Sequence, residues 1–101
     1  MIKVWIAGSN GQIGRALNDI LDPLEIEVLN TDLDDLDITN TEEVLNFGIV
    51  NRPDVIINCT GIGGIEYCQQ HSDLAYKVNA IGARNLSVAA RSVHGKMVQL
   101  S

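Results

Sequence analysis

Apolar and polar positions alternate along this 101-residue chain in two distinct patterns. Short apolar runs bounded by glycine, proline or acidic residues predict four strands, at residues 2–7, 26–30, 54–59 and 97–100. The third run, DVIINC, is apolar almost throughout, which is typical of a strand covered on both faces of a parallel sheet. Between the strands, apolar residues recur at helical spacing.

The first helix is predicted from an apolar stripe that we expect to be buried, formed by Ile13, Ala16, Leu17, Ile20 and Leu21. Asp22-Pro23 ends this helix.

Two further helices are predicted from their capping residues. Thr39 and Glu42 have the spacing of a capping box, and Asn40 and Glu43 share that spacing in weaker form, ahead of a short helix closed by Pro53. Ser72 is expected to cap a long helix that ends before Gly95. Their inward positions are Val44, Leu45 and Gly48 in the first, and Ala75, Val78, Gly82, Leu86, Ala89 and Val93 in the second.

The resulting order, β-α-β-α-β-α-β, predicts an α/β fold with a doubly wound, Rossmann-type parallel sheet, because parallel neighbours need long, right-handed crossovers. We expect one domain over residues 1–101, with strand order 3-2-1-4, truncated after the fourth strand.

Composition narrows the function classes. A net charge of −6 with scattered Lys and Arg argues against a nucleic-acid surface, and no apolar run approaches the length of a membrane span. The first apolar run is too short for a signal peptide, so a cytosolic protein is expected. Cys59 and Cys68 lie nine residues apart, which matches neither a zinc site nor a redox pair, so free thiols and no metal are expected.

The loop GSNGQIG, which contains Asn10, joins the first strand to the first helix. Gly8 permits a tight turn, Gly11 allows backbone to approach a diphosphate, and Gly14 lets the helix pack closely. The helix N-terminus suits a phosphate because it carries unpaired N–H groups and partial positive charge. The alternative is a generic glycine-rich βα turn.

Two acidic positions extend this interpretation. Asp32 follows the second strand, 18 residues beyond Gly14, where a carboxylate can accept hydrogen bonds from ribose hydroxyls; alternatively it caps a turn. It has no neighbouring cation and would repel a 2′-phosphate, which favours NAD(H) over NADP(H). Asp37-Ile38 could meet the amino group and ring face of adenine, or could be a solvated acidic loop. Arg15 is the nearest cation, and it could equally be a solvated helix residue.

The spacing GxxGxxG resembles the extended branch of the short-chain dehydrogenase/reductase superfamily. The ordered strings GSNGQIGRAL, LDITNTEEV, RPDVIINCT, DLAYKVNAIGARNL and VQLS resemble, along the whole chain, the dTDP-4-dehydrorhamnose reductase family. This resemblance implies reduction of a nucleotide-linked 4-keto sugar by NADH or NADPH.

The resemblance also implies roles for individual residues. Gln12 and Ile13 would lie with Gly11 under the diphosphate, while Asp32 would hold the ribose and Asp37-Ile38 the adenine. The remaining implied positions are Gly61, Ile62 and Gly63 along the cofactor, Leu100 near the nicotinamide, and Asn79 as the helix asparagine of the superfamily.

The chain departs from the family in two places. Residues 58–69 read NCTGIGGIEYCQ where the family resembles NAAAYTAVDKAE, which leaves the sugar open. The catalytic Tyr-x-x-x-Lys is missing, because His71 follows Tyr67 by four residues and Ala80 follows Tyr76 by four.

Ser101 resembles the start of the family's Ser-Thr-Asp stretch. We therefore expect an N-terminal part of a longer reductase that is inactive alone, with an uncovered fourth strand that favours a homodimer. The alternatives are a non-catalytic nucleotide-binding regulatory subunit and an NAD-dependent sugar epimerase or dehydratase of the same branch.

Overall fold

The computed structural model describes residues 1–61 and 70–100. Its elements alternate along the chain as the sequence predicts, and the Rossmann-type α/β class is confirmed. In order they are β1 (Ile2–Ala7), α1 (Gln12–Ile20), β2 (Ile26–Thr31), α2 (Thr41–Asn51), β3 (Val55–Asn58), α3 (Ser72–Tyr76), a π-helical turn (Lys77–Gly82), α4 (Ala83–Ser92) and β4 (Lys96–Gln99). No helix within the described ranges is long and apolar enough to cross a membrane.

All strand pairs in the described sheet are parallel, and the strand order is β2-β1-β3-β4. The expected order 3-2-1-4 is wrong, because β3 pairs with β1 and not with β2. The register places Val4 beside both Val28 and Val55. The order of the strands therefore reverses between β1 and β3, whereas the expected order placed the reversal between β1 and β4.

Burial explains why β1 takes the central position. Val4 to Ala7 are all buried, whereas β2 exposes polar positions such as Glu27 and Asn30, which suit an edge strand. The start of β3 is also fastened to β1: Lys3 N–H donates to the Asp54 carboxylate at 2.8 Å, and Asp54 N–H donates to the Lys3 carbonyl at 2.9 Å.

The main core lies on one face of the sheet, where α2 and α4 pack together. Trp5 is fully buried there, with its ring centroid 4.4 Å from that of Phe47, and its indole N–H donates to the Thr31 hydroxyl at 2.8 Å. The close packing of the two helices depends on Gly48, because a Cβ at that position would lie 3.1 Å from Ala89 Cβ.

The expected burial of the α1 stripe is wrong. Ile13 is 48% exposed and Ile20 is 76% exposed, and Gly14 is the buried residue of this helix. The right-handed crossover β1-α1-β2 places α1 on the face opposite α2, where no second helix lies beside it within the described residues.

The helix starts also differ from the sequence expectations. Asn40, and not Thr39, caps α2: its side-chain oxygen accepts from Glu43 N–H at 3.1 Å. Thr39 instead bonds to Asp37 through both its N–H and its hydroxyl. Ser72 is the first residue of α3 and not its cap, which is His71.

The expected long helix over residues 72–92 is interrupted by the π-helical turn. Gly82, at the end of this turn, lies directly against Ile38, since a Cβ at Gly82 would come within 2.8 Å of Ile38 Cγ1 and closer still to Cδ1. The interruption therefore falls where the helix passes the segment between β2 and α2.

Candidate functional site

A cleft of about 600 Å³ opens at the carboxyl ends of β1, β2 and β3, beside the point where the strand order reverses. Ligands of open α/β sheets bind at this position. The lining residues are Gly8, Gly11, Thr31, Asp32, Leu33, Leu36, Asp37, Ile38, Thr39, Cys59, Thr60, Gly61, Leu74, Lys77 and Val78.

A different feature of the structure explains the glycine at each of the three loop positions. Gly8 has φ +82°, and a Cβ there would lie 2.8 Å from the Cys59 carbonyl carbon and oxygen. A Cβ at Gly14 would lie 2.6 Å from the Gly8 oxygen and from Ser9 Cα. At Gly11 the corresponding distance is an ordinary 3.6 Å, so Gly11 is not needed for packing and keeps the cleft open in front of α1.

The glycine loop is fastened to the end of β2. The Thr31 carbonyl accepts from Gly8 N–H at 2.9 Å and from Ser9 N–H at 3.1 Å, and the Ser9 hydroxyl also donates to it at 3.4 Å. The Asp32 carboxylate accepts from Asn10 N–H at 2.8 Å. The loop is therefore a continuation of the β1–β2 pairing.

Asp32 serves the protein backbone with both of its oxygens. Oδ2 bonds to Asn10, and Oδ1 accepts from its neighbour Leu33 N–H at 2.7 Å. A carboxylate offers about four lone-pair positions, so Asp32 retains acceptor capacity toward the cleft that it lines. The turn alternative and the ribose role are therefore compatible at this residue.

Asp37 and Ile38 form the far end of the same wall. Asp37 is exposed, and its Oδ1 accepts from Thr39 N–H at 2.9 Å and from the Thr39 hydroxyl at 2.7 Å. Ile38 is only 3% exposed and belongs to the main core, although it reaches the edge of the cleft. Asp37 thus presents an exposed carboxylate at this end of the cleft.

The residues after β3 form the floor of the cleft. Asn58 is buried and organises this stretch: its side-chain oxygen accepts from Thr60 N–H at 3.0 Å and from the Thr60 hydroxyl, and its amide donates to Gln99 on β4 at 2.8 Å. Cys59 is half-buried, and burial raises the pKa of its thiol. A Cβ at Gly61 would meet open space.

The predicted site residues fall into three groups. Six line the cleft, namely Gly8, Gly11, Asp32, Asp37, Ile38 and Gly61. Five described residues do not line it: Asn10, Gln12, Ile13, Gly14 and Leu100. Ile62 and Gly63 lie outside the described residues, as do Tyr67 and Cys68.

Those five described residues lie around the cleft. Asn10 contributes its N–H to Asp32, and together with Arg15 it borders a smaller depression between the loop and β2. Gln12 and Ile13 form the exposed first turn of α1. Leu100 follows β4 and donates its N–H to the Asn58 carbonyl at 3.2 Å.

Sequence reasoning did not identify Thr31 or the helical wall formed by Leu74, Lys77 and Val78. Among the described lining residues Lys77 is the one cation, and it shares the cleft with the carboxylates of Asp32 and Asp37. The sequence predicted that Lys77 lies on a helix. It did not predict that Lys77 lines the cleft, because that depends on how the π-helical turn positions the helix.

Comparison with known proteins gives a consistent result. A family model described as the RmlD substrate binding domain matches residues 2–101. A curated dTDP-4-dehydrorhamnose reductase from Aggregatibacter actinomycetemcomitans is 36% identical over 91 residues, which are 89% of this chain and 31% of that protein.

Solved structures agree with the family match. A dTDP-4-dehydrorhamnose reductase from Clostridium acetobutylicum has a TM-score of 0.95 at 45% identity, covering 99% of this chain and 36% of that one. The enzyme of the same name from Bacillus anthracis, in complex with NADP, has a TM-score of 0.92 at 39% identity, covering 96% and 35%. The chain thus spans about a third of the length of these relatives.

Proposed function

Since the chain belongs to the RmlD substrate binding domain family, we propose that it is the NAD(P)H-binding portion of a reductase acting on a nucleotide-linked 4-keto sugar. The proposed reaction is reduction of dTDP-4-dehydrorhamnose to dTDP-rhamnose, after the activity in the names of its relatives. The observation that carries the proposal is the cleft at the strand-order reversal, with Gly11 open at the N-terminus of α1 and Asp32 beside it.

The residues present fit a dinucleotide. Gly11 has no side chain to cap α1, so the first-turn N–H groups are available to a diphosphate at the positive end of the helix dipole. Asp32 would accept from the adenosine ribose, and Asp37 from the adenine amino group. The volume of the cleft lies within the usual range for small-molecule sites.

The bound cofactor would supply a hydride, and this chain's share of the work would be binding and orientation. The sequence holds no Tyr-x-x-x-Lys to protonate the carbonyl oxygen. We therefore propose that residues 1–101 bind the dinucleotide without reducing the sugar. Calorimetric titration of the folded chain with NADH and NADPH tests this directly.

The matched variant for that titration is Gly11→Ala. Its Cβ meets ordinary space within the protein, so the fold should survive, but it projects at the proposed diphosphate position. We expect binding of both cofactors to weaken by about tenfold or more, which corresponds to about 1.4 kcal/mol. A folded wild-type chain that binds neither cofactor would remove the proposal.

Asp32 is proposed to favour NAD(H) over NADP(H), because its carboxylate would repel a 2′-phosphate. Asp32→Ala should weaken NADH binding about tenfold and strengthen NADPH binding. Asp35→Asn is the control: it removes the same charge from a residue whose carboxylate accepts from Asp32 N–H but does not line the cleft. Equal effects of the two variants on both cofactors would show that only net charge matters.

A further inference from the structure

Asn85, on α4, is a buried polar residue that the proposed function leaves unexplained. It is 2% exposed. We propose that Asn85 is a positioning residue, which holds the Asp37–Ile38 segment where Asp37 can recognise the adenine of a bound dinucleotide. The inference rests on the proposed function and adds to it the residue that sets the adenine end of the cleft.

The contacts of Asn85 reach across the fold. Its amide nitrogen donates to the Ile38 carbonyl at 2.9 Å, and its amide oxygen accepts from the Thr41 hydroxyl at 3.2 Å. These two partners stand on either side of the turn that leads into α2. One side chain therefore ties α4 to both ends of the segment that follows Asp37.

The other hydrogen bonds of this segment are local. Asp37 bonds to Thr39, and Asn40 caps α2 through Glu43 N–H. Such bonds set the internal shape of the turn, but they do not fix the distance between the turn and the helix formed by the π-helical turn and α4. That distance is set by the Asn85 amide and by the packing of Ile38 against Gly82.

Removing the amide leaves the Ile38 carbonyl buried without this donor, and a buried unpaired carbonyl drives the backbone to move. Asp37 is the neighbouring residue, so its carboxylate moves with that backbone. A shift of this wall would be felt at the adenine and not at the glycine loop, which is held separately by Thr31.

The test compares NADH with deamino-NADH, in which hypoxanthine replaces adenine and an oxygen acceptor stands where adenine has an amino donor. Binding of both to the 101-residue chain would be measured by calorimetry for wild type, Asn85→Ala, Asn85→Leu and Asn51→Ala. Asn85→Leu removes the same two hydrogen bonds but keeps the space filled, so it decides the question if Asn85→Ala does not fold. Asn51→Ala is the control, because it removes an amide bonded to the Phe47 carbonyl, at the other end of α2.

We expect wild type and Asn51→Ala to prefer NADH by about tenfold, and Asn85→Ala and Asn85→Leu to lose most of that preference. An unchanged preference in the folded Asn85→Ala protein, or in Asn85→Leu if the first does not fold, overturns the inference. A wild-type chain that binds both ligands equally overturns it too, while leaving the proposed function standing. A folded wild-type chain that binds neither ligand overturns both.

Discussion

Replacing Gly14 with alanine sets helix propensity against packing. Gly14 is the third residue of α1, where alanine is ordinarily the better helix former by about 0.5–1 kcal/mol. In this fold the added Cβ would lie 2.6 Å from the Gly8 oxygen, 2.6 Å from Ser9 Cα and 2.7 Å from the Ser9 oxygen. All three are backbone atoms, so no side chain can rotate to make room.

The magnitude follows from these two opposing terms. Overpacking of this kind costs about 1–3 kcal/mol, and contact with fixed backbone belongs at the upper end of that range. After subtraction of the propensity gain, we expect Gly14→Ala to lower the free energy of unfolding by about 1–2 kcal/mol. Gly48→Ala is the comparison: its Cβ would meet one close atom, Ala89 Cβ at 3.1 Å, so α2 and α4 need to separate by only a few tenths of an ångström and the loss should be smaller than for Gly14→Ala.

The assay is urea denaturation followed by fluorescence of Trp5, the single tryptophan of the chain, which is fully buried. Both variants would be compared with wild type at equal m-value, so that a shifted midpoint reports stability. A Gly14→Ala protein as stable as wild type, or more stable, would refute the close approach of α1 to the glycine loop.

Three further outcomes are expected. Thr31→Val should lower the free energy of unfolding by about 1–3 kcal/mol, because the Trp5 indole N–H loses its buried acceptor; an unchanged urea midpoint would argue against that bond. Alkylation of Cys59, measured by peptide mass spectrometry, should slow when NADH is bound, because Cys59 lines the cleft. Its rate should also keep rising at pH values above those at which an ordinary thiol ionises, because burial raises the pKa of Cys59 and the reactive thiolate forms at higher pH. An alkylation rate that does not change with NADH would remove Cys59 from the binding site. The 101-residue chain should self-associate in sedimentation velocity, because β4 has no partner on its outer edge within the described residues and Val98 is 42% exposed. A chain that stays monomeric at all concentrations tested, with slowly exchanging β4 amides, would contradict this expectation.

The sequence predicted well those features that depend on local pattern. The strand at residues 2–7, the glycine loop and the start of α1 follow from turn residues and periodicity within a few positions of one another. Asp32 and Asp37 were identified because they follow a strand, and they do line the cleft.

The features that were missed depend on contacts between distant segments. The pairing of β3 with β1 and not with β2 puts β1 in the middle of the sheet, and no single segment of the sequence displays that choice of neighbour. Ile13 has helical spacing but lies on a sheet face that carries no second helix in the described residues. Asn85 reads as an ordinary helix residue until the fold brings it to Ile38, 47 positions away.

The bonds that converge on the Thr31 carbonyl have a consequence for the entropy of binding. Gly8 and Ser9 are held by β2 in the folded chain, so the diphosphate of the proposed cofactor would meet a preorganised backbone. Binding usually loses part of its favourable free energy to the ordering of a flexible loop, and that loss would be small here because the loop is ordered during folding. In the proposed function, the affinity of the loop for a diphosphate would therefore depend on how firmly β1 and β2 stay paired.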